Sequence, residues 1–235
     1  MIKKIPVLFK SDGLTLKGLL HLPDAARPPL VIGCHGLLST GESPKQIALA
    51  DRCTDAGIAY FRFDHRGCGA SEGVFETDTS LPGRCNDLAS ALQTIQARDI
   101  VGDKVGLFGS SMGGAVCLSF ASVHPVASVI TVAALYQSSG IIDQPQMNLA
   151  FDLSKNLSKL QNILIFHGDK DEVVPVSHAK TIYECAQPPK KLILQKDGDH
   201  RMSNQRHQDA FIRDAVDWYV KSFGLEFQVG TSATP

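Results

Sequence analysis

The stretch Lys104-Val-Gly-Leu-Phe-Gly-Ser-Ser-Met-Gly113 decides the fold, because it places a G-x-S-x-G pattern between a predicted strand and a predicted helix. Apolar residues up to Phe108 predict the strand, and the residues from about 112 to 123 predict the helix. A sharp turn at such a junction lifts the central residue above the sheet, and the flanking glycines avoid a clash that a Cβ atom would cause. Ser111 is therefore the candidate nucleophile, and we interpret Ser110 beside it as structural.

Outward from this stretch, apolar and β-branched runs alternate with helical patterns in both directions. The alternation predicts βαβ crossovers and a mainly parallel sheet of about eight strands with helices on both faces. Ligands of such sheets bind at the carboxyl ends of the strands, so the residues that follow each strand are the candidate site residues. The other predicted strands cover 3–10, 14–22, 30–35, 59–64, 127–135, 162–167 and 191–195, and the other predicted helices cover 45–56, 83–98, 177–186 and 204–222.

The composition is that of one globular domain without a strong charge. The 235 residues are 43% hydrophobic and 20% charged, and the formal net charge is −1. These values predict a single domain over 1–235, and the small polar residues of 229–235 predict a flexible tail. The near-zero charge argues against nucleic acid or an anionic membrane as a partner.

The sequence also carries indications of compartment. No apolar run approaches the roughly 18 residues of a membrane-spanning helix, and the apolar stretch near Met1 is too short for a signal peptide. The six cysteines form no C-x-x-C pair, which favours free thiols in a reducing compartment. We therefore expect a cytoplasmic protein, and the sequence does not indicate its oligomeric state.

A serine hydroxyl needs a neighbouring base to act as a nucleophile near neutral pH. Eight histidines compete for that role. His200 lies in the tight loop Asp197-Gly-Asp-His200, directly after the last predicted strand and before the closing helix. This position puts it at the carboxyl edge of the sheet, where the turn around Ser111 also lies, and we predict that His200 is the base.

An orienting carboxylate should also follow a strand. The strand predicted over 162–167 leads into Asp169-Lys-Asp171-Glu172, which offers three carboxylates. Each of them could instead cap a turn or face solvent, so position alone does not choose among them. Asp169 and Asp171 are the two leading candidates.

Four segments resemble those of serine hydrolases with the α/β-hydrolase fold, in particular the carboxylesterase and cinnamoyl-esterase branches. His35-Gly-Leu37 is similar to the oxyanion loop of that family, and Gly198-Asp-His200 is similar to its G-x-H ending. His167-Gly-Asp-Lys-Asp171-Glu-Val-Val-Pro175 resembles its acid loop. Asp64-His-Arg-Gly-Cys-Gly-Ala-Ser71 resembles a D-x-R-G-x-G-x-S loop, which we interpret as loop architecture, together with Asp87 on the following helix. The segments stand in the expected order along nearly the whole chain.

The resemblance assigns roles to particular residues. It implies that Asp171 is the orienting acid, with Asp169 as second choice, and that the order along the chain is Ser111, Asp171, His200. It also implies an oxyanion hole formed by the backbone N–H groups of Leu37 and Met112. Many relatives insert a lid before the acid strand, whereas here only residues 136–160 fill that space, so we expect a small cap or an open site.

The resemblance implies a serine hydrolase that cleaves carboxylic esters through an acyl-enzyme, and the brevity of the segment 136–160 predicts a preference for short to medium acyl chains. The expected partner is a small-molecule ester, and neither a metal nor an organic cofactor is required. A thioesterase or small-amide hydrolase with the same three residues is one alternative. A ligand-binding protein that retains the fold without turnover is another, since fold alone does not determine function.

Overall fold

The computed structural model describes residues 2–142 and 147–226. Within these ranges eight strands form one sheet in the order β1-β2-β4-β3-β5-β6-β7-β8. β1 pairs antiparallel with β2 and β2 pairs antiparallel with β4, while all pairings from β4 to β8 are parallel. The strands are β1 (Lys3–Ser11), β2 (Leu14–Leu22), β3 (Leu30–Cys34), β4 (Ala59–Phe63), β5 (Val105–Ser110), β6 (Ser128–Val132), β7 (Gln161–Gly168) and β8 (Gln187–Gln195). The predicted α/β-hydrolase architecture is confirmed.

Helices cover both faces of this sheet. Those described are α1 (Pro44–Asp55), α2 (Phe75–Asp78), α3 (Leu81–Gln96), α4 (Met112–Ala121), α5 (Ser177–Cys185) and α6 (Gln205–Phe223), with a 3₁₀-helix at Ser154–Lys159. α1 and α6 bury their apolar residues on one face, whereas α3, α4 and α5 do so on the other. Because both faces are covered, β3 to β6 are almost entirely buried. Their sequences are therefore mostly apolar, without the alternation of apolar and polar residues that a half-exposed strand shows.

The position of the site follows from the strand order. β4 lies on one side of β3 and β5 lies on the other, so the direction of winding reverses at β3. At such a switch point the loops that follow the two neighbouring strands separate and leave a crevice at the carboxyl end of the sheet. The loop after β3 carries Leu37 and the turn after β5 carries Ser111, so these two residues lie at the crevice.

Two features depart from the predicted elements. β8 begins at Gln187 rather than 191, and α2 was not predicted. Residues 187–190 are polar or proline and so do not resemble a buried strand. β8 is an exposed edge strand, where proline is tolerated. Between β6 and β7, a single antiparallel bridge joins Gln137 to Asp152, and this segment contains only the 3₁₀-helix within the described residues. The expected flexible tail at 229–235 lies outside the described residues.

No helix in the part of the chain that the structure describes has the length and apolar character needed to cross a bilayer.

Candidate active site

The turn between β5 and α4 is built around a strained serine. Ser111 has φ 53° and ψ −121°, a left-handed conformation that non-glycine residues seldom adopt. A Cβ atom on Gly109 would lie 2.3 Å from the Gly113 carbonyl oxygen, and one on Gly113 would lie 2.1 Å from the Cys34 carbonyl oxygen. The two glycines of the pattern are thus required by close backbone packing, which allows the turn that projects Ser111 above the sheet.

The structure brings Ser111, His200 and Asp171 into one hydrogen-bonded chain. His200 Nε2 lies 3.1 Å from Ser111 Oγ, and His200 Nδ1 lies 2.9 and 3.0 Å from the two Asp171 carboxylate oxygens. A histidine that donates from Nδ1 to a carboxylate leaves Nε2 free to accept a proton from the hydroxyl. The His200 side chain remains 16% exposed at the surface, whereas that of Asp171 is fully buried.

Asp171 is held ionised by its surroundings. Burial opposes ionisation, but hydrogen bonds from His167 and His200, and then from the Val174 and Val173 amides, outweigh it and lower the pKa of Asp171 well below its usual range. The amides lie 2.7 and 2.9 Å from Oδ1, and His167 Nε2 lies 3.2 Å from Oδ2. A buried carboxylate that stays negative is suited to fixing the tautomer of His200.

The two other carboxylates of this loop face elsewhere. Asp169 is exposed and accepts a hydrogen bond from the Asp197 amide at 2.6 Å. Glu172 accepts one from the His200 backbone amide at 3.1 Å, so it supports the loop but not the imidazole. The geometry therefore selects Asp171 among the three carboxylates that the sequence offered.

The predicted oxyanion donors lie beside Ser111. Leu37, Met112, Ser111 and His200 line one cavity of about 630 Å³. The backbone N–H groups of Leu37 and Met112 have no acceptor among the described residues. Met112 is the first residue of α4, so its amide belongs to the positive end of the helix dipole. Ser110 also lines this cavity, contrary to its interpretation as purely structural, although the imidazole faces Ser111.

A buried arginine holds the oxyanion loop from behind, and sequence reasoning missed it. Arg84 in α3 is fully buried, and its guanidinium donates to the carbonyls of His35, Gly36 and Leu37 at 3.4, 3.3 and 3.2 Å. Because carbonyl and N–H point in opposite directions across a trans peptide, fixing the Gly36 carbonyl aims the Leu37 N–H away from Arg84. The available signal was a charged residue on the same helical stripe as the buried residues Leu88, Ala91 and Ile95.

His35 reinforces the same peptide group. Its Nδ1 lies 2.7 Å from the Gly36 carbonyl oxygen, and its Nε2 accepts from the His65 backbone N–H at 3.0 Å. Burial, followed by the nearby charges of His65 and Arg84, lowers the pKa of His35 well below its usual range. His35 is therefore a neutral structural histidine that donates to the oxyanion loop.

The loop that begins at Asp64 is internal scaffolding. The Asp64 carboxylate accepts from the Gly41 and Ala70 amides, both at 2.8 Å. Arg66 forms an ion pair with Asp87, in which Arg66 Nη2 and Nε donate to Asp87 Oδ1 at 2.8 and 3.0 Å. None of these charged groups lines the cavity around Ser111, in agreement with their interpretation as loop architecture.

The cavity at Ser111 has a chemically mixed lining. Leu135, Ile141, Ile142 and Val173 supply apolar surface, and Ser39, Ser43, Lys45, Gln46 and Arg201 supply polar groups. A smaller concavity of about 430 Å³ between α3 and α4 contains none of the residues that meet at Ser111.

Comparison with known proteins agrees with the fold. The family model described as serine aminopeptidase, S33 matches residues 26–162. The uncharacterized protein YfhR of Escherichia coli (strain K12) is 28% identical over 229 residues, covering 90% of this chain and 78% of YfhR. The mitochondrial palmitoyl-protein thioesterase ABHD10 of Mus musculus is 24% identical over 217 residues, covering 76% of this chain and 71% of ABHD10.

Solved structures show the same architecture. Est1E from Butyrivibrio proteoclasticus with bound ferulic acid superposes with a TM-score of 0.80 at 19% identity, covering 93% of this chain and 99% of that one. The family match spans more than half of the chain and includes Leu37 and Ser111. The chain therefore belongs to the serine aminopeptidase S33 family and is a hydrolase with the α/β-hydrolase fold.

Proposed function

We propose that this protein is a serine carboxylesterase that cleaves esters of short to medium acyl chain through a covalent acyl-enzyme. The observation that carries the proposal is the chain from Ser111 Oγ to His200 at 3.1 Å and from His200 to Asp171 at 2.9 Å. These distances are within reach for proton transfer from the hydroxyl to the imidazole. Esterase and thioesterase relatives share this fold, which supports the same class of reaction.

The proposed reaction begins when Ser111 Oγ attacks the ester carbonyl while its proton passes to His200 Nε2. The carbonyl oxygen becomes an oxyanion that accepts from the Leu37 and Met112 amides, and Asp171 stabilises the imidazolium. Collapse of this intermediate breaks the bond to the alcohol oxygen, which takes the proton from His200. Water then attacks the acyl-serine and gives a proton to His200. When the bond between the acyl carbon and Ser111 Oγ breaks, His200 returns that proton to Oγ and the acid is released.

The dimensions of the cavity support a small substrate. Its volume of about 630 Å³ is in the range of small-molecule sites. Ile141 and Ile142 come from the short segment between β6 and β7 and supply apolar contact. The described residues of this segment include no long helix that would wall a deep tunnel. Short to medium acyl groups are therefore the proposed acyl range.

A thioester is the second candidate substrate. The mouse relative ABHD10 is a palmitoyl-protein thioesterase by name, and the same three residues serve oxygen and sulfur leaving groups. Matched butyryl oxoester and thioester substrates would separate the two, because the acyl half is identical. A larger kcat/KM for the thioester would move the proposal to that class.

The test of the proposal is covalent labelling with turnover. Purified protein should hydrolyse p-nitrophenyl butyrate, and an organophosphonate should label Ser111 in a peptide map. Ser111→Ala should lower kcat by on the order of 10⁴-fold or more, and Ser110→Ala by far less, because only Ser111 meets the imidazole. A label on Ser110, or absence of both label and turnover, would reject the proposal and favour a binding protein.

A further inference from the structure

The first turn of α1 lines the cavity and has unused backbone donors. α1 has 12 residues and begins at Pro44, after Ser43, whose side chain forms no cap hydrogen bond. No acidic residue lies in this turn, and the Lys45 and Gln46 amides have no acceptor among the described residues. The N-terminal end of a helix carries a partial positive charge, so these donors favour an anion.

A buried side-chain donor at the same place is a second, independent observation. Gln46 is 1% exposed and lines the cavity. Its Oε1 accepts from the Tyr60 hydroxyl at 3.1 Å, while its Nε2 has no hydrogen-bond partner in the described part of the chain. Leaving a buried amide donor unpaired is unfavourable, so its retention here points to an acceptor supplied by a ligand.

Two cationic residues lie at this turn of α1. Lys45 and Arg201 both line it, and the Lys45 ammonium donates to the Arg201 carbonyl at 2.9 Å. Within the described ranges, no carboxylate lies within 4.0 Å of either cationic group. Asp199 and Asp171 are the acids whose charges act on Lys45, and the Asp199 carboxylate accepts from the Ser203 amide and hydroxyl at 2.7 and 2.6 Å. Burial lowers the pKa of Lys45 because it disfavours the charged ammonium, and a bound anion would offset this loss of solvation.

We propose that the first turn of α1, with Lys45, Gln46 and Arg201, binds a carboxylate group of the substrate. The preferred substrate is then an ester that carries a second, anionic group besides the bond that is cleaved. Its apolar part contacts Leu135, Ile141 and Ile142, which belong to the apolar part of the cavity lining. This inference rests on the proposed esterase function and specifies its substrate class.

The experiment compares esters that differ only in charge. p-Nitrophenyl hemiadipate carries a free carboxylate, and p-nitrophenyl methyl adipate has the same chain with that carboxylate capped. The expected kcat/KM ratio favours the free acid by about tenfold or more, which is the effect of one charge-assisted hydrogen bond. A second pair, the butyryl esters of glycolic acid and of methyl glycolate, places the charge on the alcohol instead. Whichever pair shows the preference identifies the half of the ester that contacts α1.

Variants locate the effect. Lys45→Met keeps the apolar stem and removes the charge, and Arg201→Gln does the same at an exposed position where folding is not at risk. Each variant should reduce the ratio of kcat/KM for the free acid to kcat/KM for the capped ester by about tenfold, whereas Lys45→Arg should retain this ratio. Lys180→Met on the exposed side of α5 is the matched control and should leave the ratio unchanged.

The outcomes separate this inference from the proposed function. Equal or faster turnover of the capped esters in both pairs, or a preference that survives both Lys45→Met and Arg201→Gln, would overturn the anion site while leaving the esterase standing. Absence of turnover of all four esters, together with no label on Ser111, would overturn the esterase itself.

Discussion

At the scale of single residues, the chemistry depends on how the polar groups around Ser111 are held. Asp171 accepts from one imidazole and two backbone amides, and His167 Nε2 lies 3.2 Å from it, although its side chain is fully buried. Arg84 and His35 hold the opposite side of the site through the carbonyl groups of the oxyanion loop. Both arrangements fix an orientation in advance, so that little reorganisation is needed when charge develops on the substrate.

Replacing Asp171 by Asn should damage turnover without removing the loop contacts. The amide oxygen can still accept from Val173 and Val174, but an amide neither fixes the His200 tautomer nor stabilises the imidazolium. We expect kcat to fall by about 10⁴-fold, measured with p-nitrophenyl butyrate. Asp169→Asn is the matched control and should change kcat by no more than a few-fold. The reverse ranking would assign the orienting role to Asp169.

Arg84 should act as a positioning residue for the oxyanion hole. Arg84→Met removes the donors to three loop carbonyls, so the Leu37 amide loses its fixed direction. We expect kcat to fall by about 10- to 100-fold with little change in KM, since the oxyanion forms only in the transition state.

Arg84→Lys, which restores one donor, should recover part of the loss, and the phosphonate labelling rate of Ser111 should follow kcat. A variant that loses only thermal stability, with kcat unchanged in the folded fraction, would show that Arg84 is purely structural.

At the scale of elements, most strands and helices followed from periodicity, and the exceptions have physical causes. The buried strands β3 to β6 are short apolar runs between turn residues, and they stand where they were predicted. The start of β8 was missed because edge strands tolerate polar residues and proline. The Ser111, His200 and Asp171 contacts could be anticipated because the carboxyl ends of parallel strands share one edge. Arg84 could not, since its role depends on the packing of α3 behind a distant loop.

The pairing of β2 with β4 contains a histidine that should make stability depend on pH. His21 Nε2 accepts from Arg62 Nε at 3.0 Å, so the imidazole must be neutral in the folded chain. Burial, followed by the charges of Arg62 and Lys4, lowers the pKa of His21 to about 4. In the unfolded chain a histidine titrates near pH 6.5, so between these values the unfolded state binds more protons.

The free energy of unfolding should therefore fall as the pH is lowered from about 6.5 to about 4, and His21 should contribute about 3 kcal/mol at most. His35 and His178 have lowered pKa values and contribute with the same sign. In His21→Gln, the amide oxygen can accept from Arg62 without titrating. Urea unfolding at pH 7 and pH 4.5 should give a smaller difference for this variant than for the wild type. An equal difference would exclude His21 as a source of the pH dependence.

At the scale of the whole molecule, the cavity is shaped by one sheet edge and a short covering segment. The crevice at β3 and β5 positions Leu37 and Ser111, while the loops after β7 and β8 bring Asp171 and His200 from the far side. Residues 136–160 add Ile141 and Ile142 but only one short helical turn among those described.

Acyl-chain preference should reflect this shape. Each buried CH₂ contributes about 0.8 kcal/mol only where apolar surface is available to receive it. For acetyl, butyryl, octanoyl and palmitoyl esters of one alcohol, we expect kcat/KM to be highest at short to medium length and to fall at palmitoyl. A steady rise through palmitoyl would contradict the proposed acyl range and indicate a longer groove.

The wide spacing of the site along the chain has a consequence for biosynthesis. Ser111 and His200 are 89 positions apart, and His200 follows β8, the last strand of the sheet. Because translation proceeds from the N-terminus, a nascent chain can assemble the β3–β5 crevice, with Ser111 and the loop that carries Leu37, before the proposed base exists. Under the proposed mechanism, a ribosome-bound fragment that ends before residue 200 would be inert toward esters, because the Ser111 hydroxyl would become reactive only when the C-terminal loop docks.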